Sequence, residues 1–113
     1  MKTYQQSGSN ALLIINHRTS KKVFIKQVVL LEGDINYTIF HLDCGKKKVV
    51  AHSIKFFEPF LETQGFLRVH RGFMINPEHV KGYNQLDREL MMSNGKIAII
   101  SRRKENIVKQ FVS

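Results

Sequence analysis

The sequence predicts a mainly β fold with a smaller helical part, a β-rich α+β domain, on three observations. Short apolar runs rich in β-branched residues, each bounded by turn formers, predict strands at residues 11–16, 23–31, 35–42 and 48–51. Asn94-Gly95 stands between two further apolar runs, and this dipeptide is typical of a two-residue type I′ hairpin. Only two segments, which begin at Ser53 and Ser101, have the apolar spacing of an amphipathic helix.

In the first half of the chain, a hairpin and a helix follow the early strands. Residues 43–45 form a turn signal that leads into three lysines at 46–48, which predicts a hairpin with a basic tip. Ser53 can cap a helix over residues 54–62. Pro59 should kink or split this helix, because proline removes a backbone donor and clashes with the preceding turn. The expected core stripe of the helix is Ile54, Phe57 and Leu61.

Residues 66–76 are predicted to form one strand with two different faces. The side chains expected to face inward are those of Leu67, Val69 and Phe73. Those expected to face outward are Arg68, His70 and Arg71. Asn76 followed by Pro77 predicts a single helical turn, after which residues 80–83 return to strand.

The terminal helix carries positive charge in its first turn, after the predicted cap at Ser101. Three cations occupy this turn: Arg102, Arg103 and Lys104. Its predicted apolar stripe is Ile107, Val108 and Phe111. Cations near a helix N-terminus oppose the helix dipole at a cost of about 0.3–1 kcal/mol each. An anion held nearby would remove this cost, and a solvated basic face is the alternative interpretation.

Composition predicts one domain with an anionic partner. In 113 residues, 18 Lys and Arg stand against nine Asp and Glu, so the formal net charge is +9. A chain of this length holds a single core, which we place at residues 11–113, after a flexible polar tail at residues 1–10. Nucleic acid is the commonest partner of so basic a protein, and a membrane surface is the next.

Cysteine content and hydropathy predict a soluble, cytoplasmic protein. The lone Cys44 permits no internal disulfide and fits a reducing compartment. The longest N-terminal apolar run, residues 11–15, is far shorter than the ~20 residues of a membrane-spanning helix.

No motif in the sequence argues for catalysis, and we predict that the protein is not an enzyme and has no cofactor. The histidines at positions 17, 41, 52, 70 and 79 include no pair with the i, i+4 spacing of a zinc site. Carboxylates are scattered, and neither a Gly-rich phosphate loop nor a Ser, His and Asp motif is present. Six phenylalanines could stack on bases, but most lie on predicted core faces: Phe40, Phe56, Phe57, Phe60, Phe66 and Phe73.

Four ordered segments of this chain resemble the LytTR family of bacterial DNA-binding domains. They are residues 31–37 with the helix start at 53–54, residues 66–76, the Asn94-Gly95 hairpin and residues 101–103, so that the resemblance covers about residues 23–111. It implies an elongated β-sheet domain with one or two short helices and a C-terminal helix. It also implies a response regulator-like transcription regulator that lays basic loops into successive major grooves of duplex DNA.

The resemblance bears on regulation as well. Members of the family often carry a receiver domain, for which this chain has no room. Activity would then depend on expression level, on dimerisation at a repeated DNA site, or on a separate partner, for which the family context suggests a membrane-bound protein. The alternative is that the chain is a fragment of a larger regulator.

The resemblance implies base-reading roles for two arginines, Arg71 and Arg103, and for the loop that contains Asn36 and Tyr37. An arginine fork can bond guanine O6 and N7 together, which is worth about 1–3 kcal/mol of discrimination. Three other side chains are assigned to phosphate or groove-edge contact: His70, Arg102 and Lys104. Arg68 is a further candidate DNA contact, with internal pairing to Glu58 or Glu62 as its alternative.

Two positions bear on the family pattern without adding to this site. Gly72 stands where the family usually has serine, so a possible hydroxyl contact to phosphate is missing and a backbone N–H could substitute. Asn76 matches the pattern, but its capping position explains it without DNA.

Two other function classes fit the same composition. An OB-like binder of single-stranded nucleic acid would also be small, basic and rich in β-structure. A protein-interaction module could instead present its basic loops to an acidic protein or an anionic membrane.

Overall fold

A computed structural model describes residues 12–16, 18 and 21–112. The strands are β1 (Leu12–Asn16), β2 (Lys21–Phe24), β3 (Val28–Gly33), β4 (Thr38–Leu42), β5 (Lys47–Val50), β6 (Leu67–His70), β7 (Phe73–Ile75), β8 (Val80–Asn84), β9 (Glu89–Met92) and β10 (Ile97–Ile99). The helices are α1 (Ile54–Thr63) and α2 (Glu105–Val112), and single 3₁₀ turns lie at Ile25–Gln27, Pro77–His79 and Arg102–Lys104. The mainly β prediction is confirmed, whereas the predicted tail at residues 1–10 lies outside the described residues.

A five-stranded antiparallel sheet in the order β5-β4-β3-β7-β6 forms the centre of the molecule. Its middle strand β3 begins with four apolar residues, 28–31, that are fully buried. A strand that is apolar on both faces must be covered on both faces. Leu31 faces the first covering layer, and Leu30 faces the second.

Two hydrophobic cores therefore enclose the central sheet. On one face, α1 and the β1–β2 hairpin contribute the first core, in which the rings of Phe40 and Phe57 meet edge to face at 4.9 Å. On the other face, the three-stranded sheet β10-β9-β8 and α2 contribute the second core, which includes Leu90 and Val108. The molecule measures 43 × 28 × 24 Å, which agrees with the expected elongated shape.

Two predicted strands are longer than the real ones. The 3₁₀ turn Ile25–Gln27 divides the run at 23–31, because the chain passes there from the β1–β2 hairpin to the central sheet. Residues 35–37 are not strand, and the side chain of Ile35 is 83% exposed. The Asp34 N–H donates to the Tyr37 carbonyl at 3.1 Å and closes a turn that excludes Ile35 from the sheet.

The prediction of one strand over residues 66–76 is wrong, because β6 and β7 are the two arms of an antiparallel hairpin. The chain reverses at Arg71 and Gly72. Val69 is fully buried as expected, whereas Leu67 and Phe73 are half-buried. Arg71 is exposed, and Arg68 and His70 are only half-buried rather than fully outward.

The helix α1 is neither split nor shortened by Pro59. Proline at that position leaves the Lys55 carbonyl without its intrahelical partner. Both residues are exposed, so water can satisfy this carbonyl. The predicted stripe of Ile54, Phe57 and Leu61 is buried, and Ser53 occupies the N-cap without a side-chain capping bond.

The hairpin predicted at Asn94-Gly95 is present, but its turn is not of type I′. A type I′ turn needs positive φ at both residues, and only Gly95 has one, at +86°. The Gly95 N–H donates to Met92 O and the Met92 N–H donates to Lys96 O, each at 2.9 Å, which describes a type I turn followed by a left-handed glycine. Gly45 closes the β4–β5 hairpin in the same way.

The terminal helix also differs from its prediction. Residues 102–104 form a 3₁₀ turn, and α2 begins at Glu105. Of the predicted stripe, only Val108 is buried, while Ile107 is 41% and Phe111 58% exposed. Val108 is the α2 residue that belongs to the second core, so the predicted stripe is reduced to one buried side chain.

Candidate nucleic-acid interface

Three loops lie side by side at one end of the central sheet. They are the β3–β4 turn (residues 34–37), the β6–β7 turn (residues 71–72) and the 3₁₀ turn Arg102–Lys104. The Gly33 N–H donates to the Gly72 carbonyl at 3.0 Å, which joins the first loop to the second. The Ser101 N–H donates to the Val69 carbonyl at 2.8 Å, which attaches the third loop to β6. The strand order therefore arranges the loops in one row.

Gly33 shapes the β3–β4 turn by its lack of a side chain. A Cβ at this position would lie 2.6 Å from the Tyr37 carbonyl oxygen, closer than real Cβ atoms approach. The glycine lets the turn fold back over β3, and this leaves Asn36 and Tyr37 exposed at the tip. The Asp34 carboxylate accepts the Ile35 N–H within the same turn. Local hydrogen bonds thus hold the turn that carries the two candidate residues.

Arg68 lies beneath the β6–β7 turn and bonds to it from inside. Its Nη1 is 2.5 Å from Glu58 Oε1 on α1. Its Nε donates to the His70 carbonyl at 2.9 Å and its Nη2 to the Arg71 carbonyl at 2.6 Å. Arg68 therefore pairs internally, as the alternative prediction had it, and its acidic partner is Glu58 rather than Glu62.

His70 has one ring nitrogen committed to the turn. Its Nδ1 lies 3.0 Å from the Gly72 backbone nitrogen and accepts that N–H. In a neutral imidazole the proton must then be on Nε2, which leaves this atom as the donor. Because the Gly72 N–H is already bonded, it is not available to replace the serine hydroxyl that the family pattern has at this position.

Among the described residues, the cations of the third loop have no acidic partner. Arg102 and Arg103 are exposed, and Lys104 is half-buried. Within the described part of the chain, no carboxylate forms an ion pair with Arg71, Arg102 or Arg103. The first acid after this loop, Glu105, faces Arg88 at 3.8 Å.

A cleft of about 630 Å³ opens between the first two loops and the start of α1. Tyr37 and Arg71 both line it, which brings two candidate residues from different loops together. Lys55 lines the same cleft and was missed in the sequence analysis. The sequence pattern that could have identified Lys55 is a cation in the first turn of a helix with no acidic residue there. The same pattern led to the selection of residues 102–104.

Other kinds of site find little support in the described residues. None of their His, Cys, Asp and Glu side chains cluster in threes as a metal site requires. No helix among them is long and apolar enough to cross a membrane. Phe40, Phe57 and Phe66 are buried as predicted, and Phe56 is exposed with its ring stacked on His52 at 4.1 Å.

Comparison with known proteins identifies the family. The model of the LytTr DNA-binding domain matches residues 18–113 of this chain. The fold is similar to the LytTr DNA-binding domain of a methyl-accepting/DNA response regulator from Bacillus cereus, with a TM-score of 0.69 and 24% identity over 82% of this chain and 87% of that chain. No curated protein matches the chain. The chain therefore belongs to the LytTR family of DNA-binding domains, a family of transcription regulators and not of enzymes.

Proposed function

We propose that this protein binds duplex DNA in a sequence-specific manner and reads the major groove with the three loops at one end of its central sheet. The observation that carries the proposal is the row itself. Backbone hydrogen bonds from Gly33 to Gly72 and from Ser101 to Val69 hold three exposed loops together, and each loop presents polar or cationic side chains.

The roles within the row follow from side-chain chemistry. Arg71 and Arg103 are exposed and have no acidic partner among the described residues, so their guanidinium groups are available for guanine O6 and N7. Asn36 and Tyr37 add hydrogen-bonding groups from the β3–β4 turn. His70, Arg102 and Lys104 contact phosphates, and Lys55 in the cleft is a further phosphate contact.

The spacing of the loops suits a groove. Neighbouring strands are about 4.8 Å apart, and the β3–β4 and β6–β7 turns are two strand spacings apart in the sheet order, about 10 Å. The major groove of B-DNA is about 12 Å wide and admits a two-stranded β-ribbon, so each turn can enter it. The central sheet is open and layered, unlike the barrel of an OB fold, which argues against the OB-like single-strand binder.

Binding selection from random duplexes tests this function. The best site is titrated against scrambled duplex and single-stranded DNA across a salt series. We expect at least ~1,000-fold preference over scrambled duplex. Arg71→Lys should relax this preference because lysine keeps the charge but lacks the fork. Lys46→Gln, at the β4–β5 hairpin tip, removes an exposed charge at the far end of the sheet and should leave the preference unchanged.

Other outcomes have definite meanings. Equal and steeply salt-dependent binding to every duplex would reduce the protein to a general electrostatic binder. Preferred binding to single strands would contradict the proposal. Absence of duplex binding at low salt would favour an acidic protein or an anionic membrane as the partner.

The same proposal includes the regulation that the family resemblance implies. A repeated site occupied by a homodimer should bind two chains per duplex, and a half-site should bind one. Sedimentation of the protein with each duplex measures this stoichiometry. The proposal also places the protein in the cytoplasm and includes regulation by a membrane-bound partner. Vesicles that contain this partner should lower binding of the protein to the repeated site.

A further inference from the structure

The guanidinium of Arg68 makes three hydrogen bonds inside the protein, although the side chain also borders the cleft beside Arg71. Its three hydrogen bonds go to the Glu58 carboxylate and to the carbonyls of His70 and Arg71, at 2.5, 2.9 and 2.6 Å. The Arg68 side chain is only 18% exposed and that of Glu58 24%. Each of its three nitrogens is therefore already bonded within the protein, which favours a structural role over a phosphate contact.

The strand geometry explains why the turn needs this side chain. The β6–β7 pairing shifts register between Arg68 and His70, so the ladder is irregular in the last residues before the turn. Arg68 bonds two consecutive carbonyls there, those of His70 and Arg71. Glu58 fixes the other side of the guanidinium from α1, which packs on the central sheet. Arg68 therefore ties the turn to the rigid part of the fold.

We propose that Arg68 is a positioning residue that sets the base preference of the site without touching DNA. It fixes the backbone from which Arg71 extends, and Glu58 fixes Arg68 in turn. A base-reading arginine gives specificity only when its fork is held near the productive geometry. A loose turn would leave Arg71 able to reach phosphates as well as bases. This inference rests on the proposed function of the three loops.

The salt dependence of binding separates a positioning role from a phosphate contact. Each phosphate contact contributes about 0.9 to the slope of log K against log salt on B-DNA. If Arg68 positions Arg71, Arg68→Gln keeps the wild-type slope, and affinity for the preferred duplex falls about tenfold while affinity for scrambled duplex is unchanged. If Arg68 contacts phosphate, the slope falls by about 0.9 and both affinities fall together.

Arg102→Gln is the matched control. It also removes one arginine charge, from an exposed side chain assigned to phosphate. We expect this variant to lower the salt slope by about 0.9 and to leave the preference for the selected site unchanged. The two variants should therefore differ in both readouts although they carry the same net charge.

A double variant tests whether Arg68 acts through Arg71. If it does, R68Q combined with R71K loses no more preference than R71K alone, because the group that Arg68 positions is already impaired. Independent, additive losses would overturn the inference.

Milder variants keep the test decisive if R68Q does not fold. Glu58→Gln keeps the shape and a neutral acceptor, and should lower the preference in the same direction by a smaller factor. Arg68→Lys keeps the charge, but its single nitrogen cannot reach the three acceptors that Nε, Nη1 and Nη2 bond, so it should lower the preference and keep the wild-type salt slope. Unchanged preference in both folded variants would overturn the inference.

The failure of this inference is distinct from failure of the proposed function. A wild-type protein with no preferred duplex would overturn both. A wild-type protein with a preferred duplex, together with an R68Q variant of reduced salt slope, would overturn only the positioning role.

Discussion

The imidazole of His41 lies against the carboxylate of Glu32, with Nε2 and Oε1 2.9 Å apart, and Lys96 Nζ lies 3.6 Å from the same oxygen. His41 is only 4% exposed. Burial lowers the pKa of His41, and the charges of Lys96 and Lys47 add to this against the raising effect of Glu32. Burial raises the pKa of Glu32, but the His41 hydrogen bond and the Lys96 charge outweigh it and the net pKa is lowered. A neutral imidazole therefore donates to an ionised carboxylate.

The free energy of unfolding should decrease as the pH falls below the ordinary pKa of histidine, 6.5. The unfolded chain takes up a proton there that folded His41 resists, so the contribution of His41 is complete above pH 6.5 and is lost on acidification towards its lower folded pKa. Glu32 also loses its stabilising contribution on acidification, at pH values below its ordinary pKa of 4.5. Urea unfolding between pH 7.5 and 5 measures the effect.

Two histidine variants identify the group responsible. His41→Gln can still donate to Glu32 but does not titrate, so its free energy of unfolding should depend less on pH in this range. His52→Gln alters an exposed histidine that stacks on Phe56 and should keep the wild-type dependence. Equal pH dependence in H41Q and the wild type would show that His41 is not the group.

Asn76 should prove a structural residue. It is buried, its amide donates to the Val28 carbonyl at 3.0 Å, and its Oδ1 accepts the Glu78 N–H at 3.1 Å. Asn76→Ala removes both bonds and leaves a buried carbonyl unpaired, which should cost about 2–3 kcal/mol of unfolding free energy. Urea unfolding gives this value, and DNA binding by the remaining folded fraction should be unchanged. A stable variant with weakened DNA binding would instead mark Asn76 as part of the interface.

Local patterns in the sequence identified most elements of the fold. Alternation and turn formers placed β1, β5, β8 and both arms of the Gly95 hairpin, because these signals act over a few residues. They failed at Ile35, where an apolar residue stands in a turn, and at Arg71, where an unbroken strand pattern hides a reversal. The Ile35 error comes from the turn closed by Asp34 and Tyr37, which the apolar side chain conceals. The Arg71 error concerns a reversal that is joined to β3 by the Gly33 to Gly72 bond, between residues 39 positions apart, which no local pattern encodes.

In the candidate site too, local sequence patterns were informative and contacts between distant elements could not be predicted. The family resemblance and residue type selected Arg71 and Arg103 as candidates, and both are exposed. They could not decide the place of Arg68, because its partner Glu58 lies on another element and the two acceptors beyond it are backbone carbonyls. Lys55 was missed because it joins the other residues only through the cleft between α1 and the two turns.

Glycines 33 and 72 should respond oppositely to substitution. Gly33→Ala places a Cβ 2.6 Å from the Tyr37 carbonyl, so the β3–β4 turn must shift, at a cost of about 1–3 kcal/mol in stability and with weaker DNA binding. At Gly72, a Cβ would lie 3.3 Å from the Gly33 carbonyl, which requires only a small adjustment. Gly72→Ser should therefore fold, and its hydroxyl should strengthen binding to duplex DNA. Thermal unfolding and DNA titration of both variants test the pair.

The backbone of Ser101, rather than its hydroxyl, should hold the third loop. Its side chain makes no capping bond, whereas its N–H donates to the Val69 carbonyl at 2.8 Å. Ser101→Ala should be nearly neutral. Ser101→Pro fits the observed φ of −73° but deletes the N–H, so it should cost about 1–3 kcal/mol and weaken DNA binding, because the loop with Arg103 is no longer attached to β6. If alanine were as harmful as proline in thermal unfolding and DNA titration, the hydroxyl would be the group that matters.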